Sequence, residues 1–423
     1  MSKPTTKTLV PKLRFPEFLD AGEWEEKSLG ELSQIVRGGS PRPIDEFITT
    51  ETNGLNWLKI GDVSQEAKYV THTQEKVSLS ALKKTRVVNP GDLILSNSMS
   101  FGRPYILKIK TCIHDGWIAV TKIKGLINVD YLYYSISSPA SQSYFSNNAA
   151  GSGVQNLNAD IIKLLPSPLP KLAEQQKIAD CLSSIDDLIT AHTQKHDALK
   201  AHKKGLMQQL FPAEGETVPK LRFPEFRDAG EWEEKQLGEV ATFAKGKGIS
   251  KSDISLNGSQ PCIRYGELYT HYKETINTVI SYTDIPSNDL VLSQANDVII
   301  PASGETQIDI ATASCVLKSG IALGGDLNIV RTKMNGVFLS YYLNNAKKKA
   351  IAELAQGISV VHLYSSQLKT LNINTPKLSE QQRIAGFLSS IDELIAAQTQ
   401  KIDALKAHKK GLMQQLFPAS IAE

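Results

Sequence analysis

The chain has 423 residues, of which 41% are hydrophobic and 22% are charged, as expected for a globular protein of two to four domains. Its net charge of +3 gives no composition-level sign of a nucleic-acid binder, and it contains no apolar run of membrane-spanning length and no recognisable export signal. The four cysteines are scattered without a CxxC pair, so we expect a reduced, cytoplasmic protein.

The chain opens on a segment that it later repeats. Residues 10–32 (VPKLRFPEFLDAGEWEEKSLGEL) return at 218–240 with 20 of 23 positions identical, and residues 170–213 return at 376–419 with 36 of 44 positions identical. The stretches between these segments are barely alike. A recent duplication alone would have left the middles alike as well. The pattern therefore suggests two identical docking surfaces joined to two different reading heads.

Each middle stretch predicts an α+β head. Short apolar runs bounded by Gly, Pro, Asn and Asp predict strands, and two segments between them, VDYLYYSIS and GVFLSYYLNN, predict short helices. Residues 57–63 align weakly with 262–268, and residues 91–96 align with 296–301, in the same order. We therefore expect one fold for both heads, with different surface loops.

Loops of the two heads carry residues suited to DNA. Residues 37–42 (RGGSPR) align with 245–250 (KGKGIS), and a cation beside glycines would let backbone N–H groups approach a phosphate. The loops after residues 91–96 and 296–301 carry Ser, Asn, Gln and Arg, which suit base edges. A solvated surface would explain the basic clusters equally well. The candidate DNA contacts are Arg37, Ser40, Arg42, Lys83, Lys84, Arg86, Ser98, Arg103, Lys245, Lys247, Lys251, Ser303 and Gln307.

Each closing repeat predicts one long helix, bounded by Pro170 and Pro212 in the first copy and by Pro376 and Pro418 in the second. Apolar residues at alternating spacings of four and three form a coiled-coil seam. We expect the two seams to pair within the chain; packing on the helix's own domain and pairing between two molecules are the alternatives. The seam residues are Ile178, Leu182, Ile185, Ile189, Leu199, Leu206, Ile384, Leu388, Ile391, Ile395, Ile402, Leu405 and Leu412.

Polar residues and glycines interrupt this seam. His192, His196 and Lys203 occupy seam positions in the first copy, as Gln398 and Lys409 do in the second, and such residues help to fix register. A hydrated seam explains the two histidines better than a metal site does. Glycines at 205 and 411 lie inside the helical pattern, which suggests a bend or a close helix contact at each.

Catalytic motifs are missing from the sequence. It has no GxGxxG, GxxxxGK[ST], HExxH or GxSxG pattern, and no Asn/Asp-Pro-Pro-aromatic box for a target base. Asp92 and Asp297 each precede a predicted strand without a Glu-x-Lys partner, so we assign both to turns. We predict no catalytic residue, no metal ligand and no cofactor bound by this chain.

Three segments resemble the specificity subunit of type I restriction-modification systems. They are the RFPEF…W…LGE opening at 14–31 and 222–239, the stretch 168–186, and LKAHKKGLMQQLFP at 199–212 and 405–418. The resemblance covers essentially the whole chain. One departure is that the second copy lacks the Gln155–Asn156 pair of the first.

The resemblance implies an architecture with target-recognition domains at 1–168 and 214–374 and spacer helices at 169–213 and 375–423. Each recognition domain would read one half of a bipartite target in double-stranded DNA, and the helices would pack antiparallel and set the gap. It also implies a non-catalytic subunit in a bacterial or archaeal cytoplasm. The resemblance further implies a pseudo-twofold repeat within the chain.

The partners implied by the resemblance are two adenine-methyltransferase subunits and the restriction subunits, which would carry S-adenosylmethionine and ATP with Mg²⁺. Two other functions remain open at this stage. One is a cytosolic coiled-coil scaffold whose heads bind proteins. The other is a specificity subunit of a complex that only methylates DNA.

Overall fold

The computed structural model describes residues 9–97, 102–149, 156–357 and 360–418. The chain divides into two units, unit 1 with residues 1–193 and 400–423 and unit 2 with residues 194–399. Each unit contains one head, the first half of one long helix and the second half of the other. The division therefore cuts through both long helices.

Unit 1 is built from twelve short strands and four short helices among its described residues. The strands are β1 (Glu25–Ser28), β2 (Gln34–Arg37), β3 (Ile48–Thr49), β4 (Leu55–Leu58), β5 (Tyr69–Val70), β6 (Glu75–Val77), β7 (Arg86–Val88), β8 (Leu93–Ser96), β9 (Pro104–Leu107), β10 (Thr111–Ile113), β11 (Trp117–Thr121) and β12 (Pro166–Leu169). The helices are α1 (Leu29–Leu32), α2 (Val129–Ser137), α3 (Pro139–Asn148) and α4 (Ala159–Lys163).

Two five-stranded sheets form the head of unit 1, in the orders β2-β11-β8-β9-β5 and β3-β6-β4-β10-β7, beside a β1-β12 ribbon. Strand β8 is buried along its whole length, as a strand covered on both faces must be. Leu93 and Leu95 pack with α2, whereas Ile94 between them packs with Leu58 of the second sheet. The first sheet therefore lies between the helices and the second sheet.

Unit 2 repeats this plan. Its strands are β13 (Glu233–Gln236), β14 (Ala241–Lys245), β15 (Gln260–Ile263), β16 (Thr275–Ile276), β17 (Ser281–Thr283), β18 (Asp297–Pro301), β19 (Ser303–Gly304), β20 (Ser314–Val316), β21 (Ala322–Leu323), β22 (Leu327–Thr332), β23 (Val361–His362) and β24 (Asn372–Thr375). Its short helices are α6 (Leu237–Val240), α7 (Glu267–Thr270), α8 (Gln307–Ile310), α9 (Gly336–Asn345), α10 (Lys348–Leu354) and α11 (Ser365–Lys369).

The main sheet of unit 2 has the order β14-β22-β18-β20-β16, which matches β2-β11-β8-β9-β5 strand for strand. The sheet β17-β15-β21 likewise matches β6-β4-β10, and β13-β24 matches β1-β12. Among the described residues, the ribbon β19-β23 belongs to unit 2 alone. The predicted common α+β fold of the two heads is confirmed.

Both closing repeats are single helices of 39 residues, α5 (Leu172–Leu210) and α12 (Leu378–Leu416). Every predicted seam residue is buried or half-buried, so the four-and-three spacing identified the packed face. A Cβ on either Gly205 or Gly411 would meet nothing within 4 Å, so the predicted close helix contact at these glycines is wrong. No helix in the described part of the chain is long and apolar enough to cross a membrane.

The two long helices run antiparallel in each unit. In unit 1, Lys409 of α12 contacts Asp186 of α5 at 2.6 Å, and Leu416, further along α12, packs in one cluster with Ile178, an earlier residue of α5. Later residues of α12 thus pack against earlier residues of α5, as in an antiparallel pair. In unit 2, Lys203 of α5 makes the same kind of contact, and the helix halves pair in the same sense.

The repeated segments bind each other through a buried ion pair. The guanidinium of Arg14, in the opening repeat, donates two hydrogen bonds of 2.7 Å to the carboxylate of Glu174 at the start of α5. Arg222 binds Glu380 in the same way in unit 2, at 2.7 and 2.8 Å. The glutamate side chains are only 1% exposed. Part of the identity between the repeats therefore comes from the junction they build.

The glutamine after each of these glutamates holds the head. Gln175 accepts a hydrogen bond of 2.8 Å from the backbone of Asn128, which caps α2, and donates to Pro170. Gln381 accepts one of 2.9 Å from Asn335, which caps α9. Each long helix therefore begins by binding both the opening repeat and the head of its own unit.

Candidate nucleic-acid interface

The loop after β2 lies against the turn between β10 and β11. The N–H of Gly38 donates to the carbonyl of Trp117 at 2.8 Å, and the N–H of Gly39 donates to Ile113 at 3.1 Å. A Cβ on Gly38 would overlap with the carbonyl oxygen of His114, so only glycine permits this close approach of the two backbones.

The loop after β14 follows the same path in unit 2. The N–H of Gly246 donates to the carbonyl of Leu327 at 2.9 Å, and the N–H of Lys247 donates to Leu323 at 3.0 Å. A Cβ on Gly246 would overlap with the carbonyl oxygen of Gly324. The sequence alignment of residues 37–42 with 245–250 is therefore correct at the level of individual hydrogen bonds.

These hydrogen bonds correct one reason for assigning the loops to DNA. We predicted that backbone N–H groups beside the glycines approach a phosphate. The structure shows the N–H groups at 38, 39, 246 and 247 already bonded to carbonyls of the chain itself. The predicted cradle of backbone groups is wrong at these positions. The side chains of Arg37 and Lys245 are exposed beside the loops, and their contact with DNA stays a prediction.

Asp115 organises the loop face of unit 1. Its carboxylate accepts hydrogen bonds from Ser40 at 3.0 Å and from Arg42 at 3.2 Å, and Nε2 of His114 lies 3.1 Å away. Partial burial would raise the pKa of Asp115, but the hydrogen bond from Ser40 and the charges of His114 and Arg42 lower it below its ordinary value. The ionised carboxylate thus positions Arg42, whose side chain is 81% exposed.

The backbone of Asp115 joins a second loop to the first. Its carbonyl accepts from Arg37 Nε at 3.2 Å and from Asn97 Nδ2 at 3.1 Å. Asn97 follows β8, so the first residue of the loop predicted to read base edges lies beside the loop after β2. Ser98, the next residue of that loop, lies outside the described residues, as does Gln155.

The basic cluster at 83–86 borders the same face. A Cβ on Gly39 would lie 2.7 Å from the carbonyl oxygen of Lys84, so the two segments run side by side. The side chains of Lys83, Lys84 and Arg86 are exposed, and the ammonium of Lys84 lies 4.7 Å from the ring centre of Phe47. The structure therefore brings three predicted cations next to the loop of Arg37.

Arg103 is not part of this group. Its side chain is half-buried, and its guanidinium hydrogen-bonds the hydroxyl of Tyr105, a buried residue of β9. None of its described contacts is with the group around Asp115. The structure thus brings together Arg37, Ser40, Arg42, Lys83, Lys84 and Arg86 but places Arg103 apart from them.

Three loops also meet in unit 2. The N–H of Gly325 donates to Gly248 at 2.8 Å, and the N–H of Ala302 donates to Asp326 at 2.8 Å. The segments around 245–250, 302–304 and 324–326 therefore lie together, as their counterparts do in unit 1. Lys245, Lys247 and Lys251 are all exposed on or beside them.

The two remaining candidates of unit 2 differ in position. Ser303 is only 8% exposed and lies in β19 opposite His362, and its carbonyl accepts from Tyr269 at 2.6 Å. This burial argues against the predicted contact of Ser303 with a base edge. Gln307 begins α8 with an exposed side chain, which donates a hydrogen bond of 3.4 Å to Ala355.

Each loop face includes a basic residue that the sequence analysis missed. Lys59 follows β4 and contacts Glu75 at 2.5 Å, whereas Arg264 follows β15 and contacts Glu267 at 3.1 Å. A Cβ on Gly324 would lie 3.5 Å from Cα of Arg264, which places this arginine at the loop face. The aligned segments 57–63 and 262–268 carried the signal, since both have a cation at the third position.

An open pocket of about 620 Å³ lies on the loop face of unit 1. Its lining combines an apolar base with ionisable groups, and includes Arg42, Trp57, Lys59, Glu75 and His114. A face that combines exposed cations with other polar side chains can contact both phosphates and base edges. We use "loop face" for residues 37–42, 59, 83–86, 97 and 114–115 of unit 1 and for residues 245–251, 264, 302–307 and 324–326 of unit 2.

No metal site accompanies these faces. Within the described ranges, no group of three or more His, Cys, Asp or Glu side chains is placed to hold a metal ion. Asp92 accepts from the backbone of Asn89 at 2.8 Å, and Asp297 accepts from Gln294 at the same distance. Both aspartates therefore close turns, as their sequence context predicted.

A second kind of surface lies on the repeated segments. Four pairs of apolar residues at equivalent positions are exposed in both units, each between 38% and 55%. These exposures are similar in the two copies because the repeated segments have nearly the same sequence and the same packing. The pairs are Val10 and Val218, Leu13 and Leu221, Leu172 and Leu378, and Leu188 and Leu394.

Comparison with known proteins identifies the family. The family described as "Type I restriction modification DNA specificity domain" matches residues 21–201 and again residues 229–407. The MjaVIII specificity subunit of a type I restriction enzyme from Methanocaldococcus jannaschii is 25% identical over 433 aligned residues, which cover 97% of this chain and 94% of the relative. The MjaIX specificity subunit from the same organism is 21% identical and covers 93% and 92%.

A solved structure has the same fold. The S subunit of a type I restriction-modification system from M. genitalium superimposes with a TM-score of 0.59 at 15% identity, over 97% of this chain and 99% of that one. The two family matches each span a head and most of the long helix that follows it. The chain therefore belongs to the family of type I restriction-modification specificity subunits and carries two of its DNA specificity domains in tandem.

Proposed function

We propose that each loop face contacts one half of a bipartite target in double-stranded DNA and that the chain itself catalyses no reaction. The observation that carries this proposal is a common backbone with different side chains. Asp115, which positions Ser40 and Arg42 in unit 1, is replaced by Gly325 in unit 2, and Gly39 is replaced by Lys247. Two domains that recognise different half-sites need the same backbone but different hydrogen-bonding side chains.

The proposed partners are two copies of an adenine methyltransferase subunit, which would bring S-adenosylmethionine, and restriction subunits, which would bring ATP and Mg²⁺. The four matched pairs of exposed apolar residues support one docking surface per unit. We also propose that the paired helices set the gap between the half-sites, since the apolar seam residues of both 39-residue helices are buried or half-buried.

The docking surface is tested by placing a charge on it. Leu188→Glu combined with Leu394→Glu should weaken binding of the methyltransferase subunit at least tenfold, because a carboxylate would be buried in an apolar contact. Leu256→Glu is the matched control, since Leu256 is fully exposed and lies outside the repeats. Equal affinity of both variants, measured by titration of the purified chain with the partner, would contradict the assignment of this surface.

The loop face is tested by separating base contacts from phosphate contacts. Asp115→Asn should relax preference for one half-site about tenfold, because it removes the charge that holds Arg42, while preference for the other half-site stays unchanged. Lys83→Ala should instead weaken binding about equally for all sequences and reduce the salt dependence. Both are measured as affinities of the complex with the methyltransferase partner for duplexes altered in one half. Uniform weakening by Asp115→Asn would contradict a reading role.

A further inference from the structure

A tyrosine, an aspartate and a lysine meet where the head of unit 1 joins the long helices. The hydroxyl of Tyr134, from α2, and the ammonium of Lys409, from α12, both donate to Asp186 of α5 at 2.6 Å. Burial, and then the hydrogen bond to Asp186, raise the pKa of Tyr134, so its hydroxyl stays protonated and donates. The cluster ties the head to both helices.

The same cluster occurs in unit 2. Tyr341 of α9 donates to Asp392 of α12, and Lys203 of α5 donates to both oxygens of that carboxylate, at 2.7 and 2.8 Å. The lysine is 12% exposed and lies 4.9 Å from the ring centre of Tyr341. We call these two clusters the joint triads. Their residues are identical although the heads around them differ.

Beside each triad, the heads supply side chains of opposite charge. Lys68 precedes β5 and Glu274 precedes β16, and the two strands hold the same place in the sheet order. Their backbones are equivalent, because the carbonyl of Lys68 accepts from Ile106 and the carbonyl of Glu274 accepts from Cys315, both at 2.9 Å. A cation in one head thus occupies the position of an anion in the other.

Lys68 is neutralised by its own head. Its ammonium lies 2.8 Å from Asp130 of α2, donates to Ser183 of α5 at 2.9 Å, and lies 4.6 Å from the ring centre of Tyr134. Its side chain is only 11% exposed. The head of unit 1 therefore approaches the joint with a lysine and supplies the carboxylate that balances it.

Glu274 is neutralised by the helix instead. Its carboxylate lies 3.3 Å from the ammonium of the triad lysine Lys203. Val337 occupies the position of Asp130, since the caps Asn128 and Asn335 hold α2 and α9 in the same way. Glu274 thus pairs with the lysine of the triad, and the head of unit 2 has no second carboxylate at the position of Asp130.

We propose that the joint triad can bind either head. Lys68 and Glu274 are the positioning residues that adapt each head to the triad. Both arrangements keep the charges paired at the contact between head and helices, which is poorly exposed. An unpaired charge there would shift the head on the helices. This inference rests on the proposed function, because the placement of the heads matters for the gap between two half-sites. It names the residues that fix that placement.

The chain itself supplies the test, because each head shows which residues the other would need. Lys68→Glu should reduce the affinity ratio between the native gap and a gap altered by one base pair roughly tenfold, since like charges are then juxtaposed at the joint. The double variant Lys68→Glu with Asp130→Val reproduces the arrangement of unit 2, with the new glutamate facing Lys409. We expect it to restore the affinity ratio. The measurement is binding of the complex with its methyltransferase partner to duplexes of varied gap.

The controls separate positioning from general stability. Lys110→Glu makes the same charge change at an exposed lysine of unit 1 and should leave the ratio unchanged, as should the conservative Lys68→Arg. A lower melting temperature of Lys68→Glu with an unchanged gap ratio would contradict the inference alone. A failure of Asp130→Val to restore the ratio would contradict it too. Absence of any gap preference in the unaltered complex would contradict the proposed function.

Discussion

At the scale of single residues, the buried ion pairs join the opening repeats to the long helices. The guanidinium of Arg14 and the carboxylate of Glu174 are 6% and 1% exposed and form two hydrogen bonds. Hydrogen bonding to Glu174 is the largest of the effects that raise the pKa of Arg14 above its ordinary value, so the guanidinium stays charged at neutral pH. Removing one partner leaves the other charge buried and unpaired.

We predict that Arg14→Met lowers the free energy of unfolding by about 3 kcal/mol, because Glu174 then lacks its counter-charge. Lys177→Met removes the exposed contact of the same two segments, between Lys177 and Glu17, and should lower it far less, because solvent screens this pair. Denaturant unfolding of the purified chain measures both. Equal losses of unfolding free energy in the two variants would show that burial does not determine the strength of these ion pairs.

At this scale the sequence predicted only part of the candidate site. Arg37, Ser40 and Arg42 were identified as loop residues beside glycines, and the structure brings them together. Asp115, which holds them, was not identified, because its partners lie more than 70 residues away in the sequence, too far for local patterns to reveal. Ser303 is buried by a ribbon whose second strand lies far along the chain, so its exposure could not be predicted.

At the scale of elements, periodicity was sufficient for the helices and for the main strands. The four-and-three spacing predicted α5 and α12 and their packed faces, and buried runs such as residues 297–301 predicted strands. The polar residues at the start of each long helix were not predicted to be buried. Glu174 and Gln175 are buried because Arg14 and Asn128 satisfy them, and these partners are distant in the sequence.

The glycines inside the long helices give a prediction at the same scale. Gly205→Ala and Gly411→Ala should each raise the free energy of unfolding by up to about 1 kcal/mol, because alanine favours the helix and its Cβ meets nothing within 4 Å. Gly246→Ala is the opposite case, since its Cβ would overlap with a backbone oxygen and should destabilise the chain. Thermal unfolding distinguishes the two outcomes, and destabilisation by the helix substitutions would reveal a need for glycine there.

At the scale of the whole molecule, the duplicated cassette combines repeated and divergent parts. The repeats provide the ion pairs, the helix starts and the joint triads in both units, whereas the heads differ in the side chains of their loop faces. An identical frame with different contacts would account for the two equal partner surfaces and the unequal half-sites that we propose. The repeats are thus structural, and we propose that they also form the surfaces for docking.

The helices should act as the ruler of this assembly. Deleting residues 190–196 from α5 and 396–402 from α12 removes one heptad from each and keeps both lysine–aspartate pairs of the joint triads. Seven helical residues span about 10 Å, so the gap should shorten by about three base pairs with both half-sequences retained. Selection of bound duplexes from a random pool measures this change. New half-sequences with the old gap would contradict the ruler.

The most direct test of two readers on one chain is to map the modified bases in DNA from cells that express the chain with its methyltransferase partner, with and without Asp115→Asn. We predict one asymmetric bipartite target for the unaltered chain, and for the variant a relaxed sequence in one half with the other half and the gap preserved. Modification at a continuous sequence, or a change in both halves from this single substitution, would contradict the account.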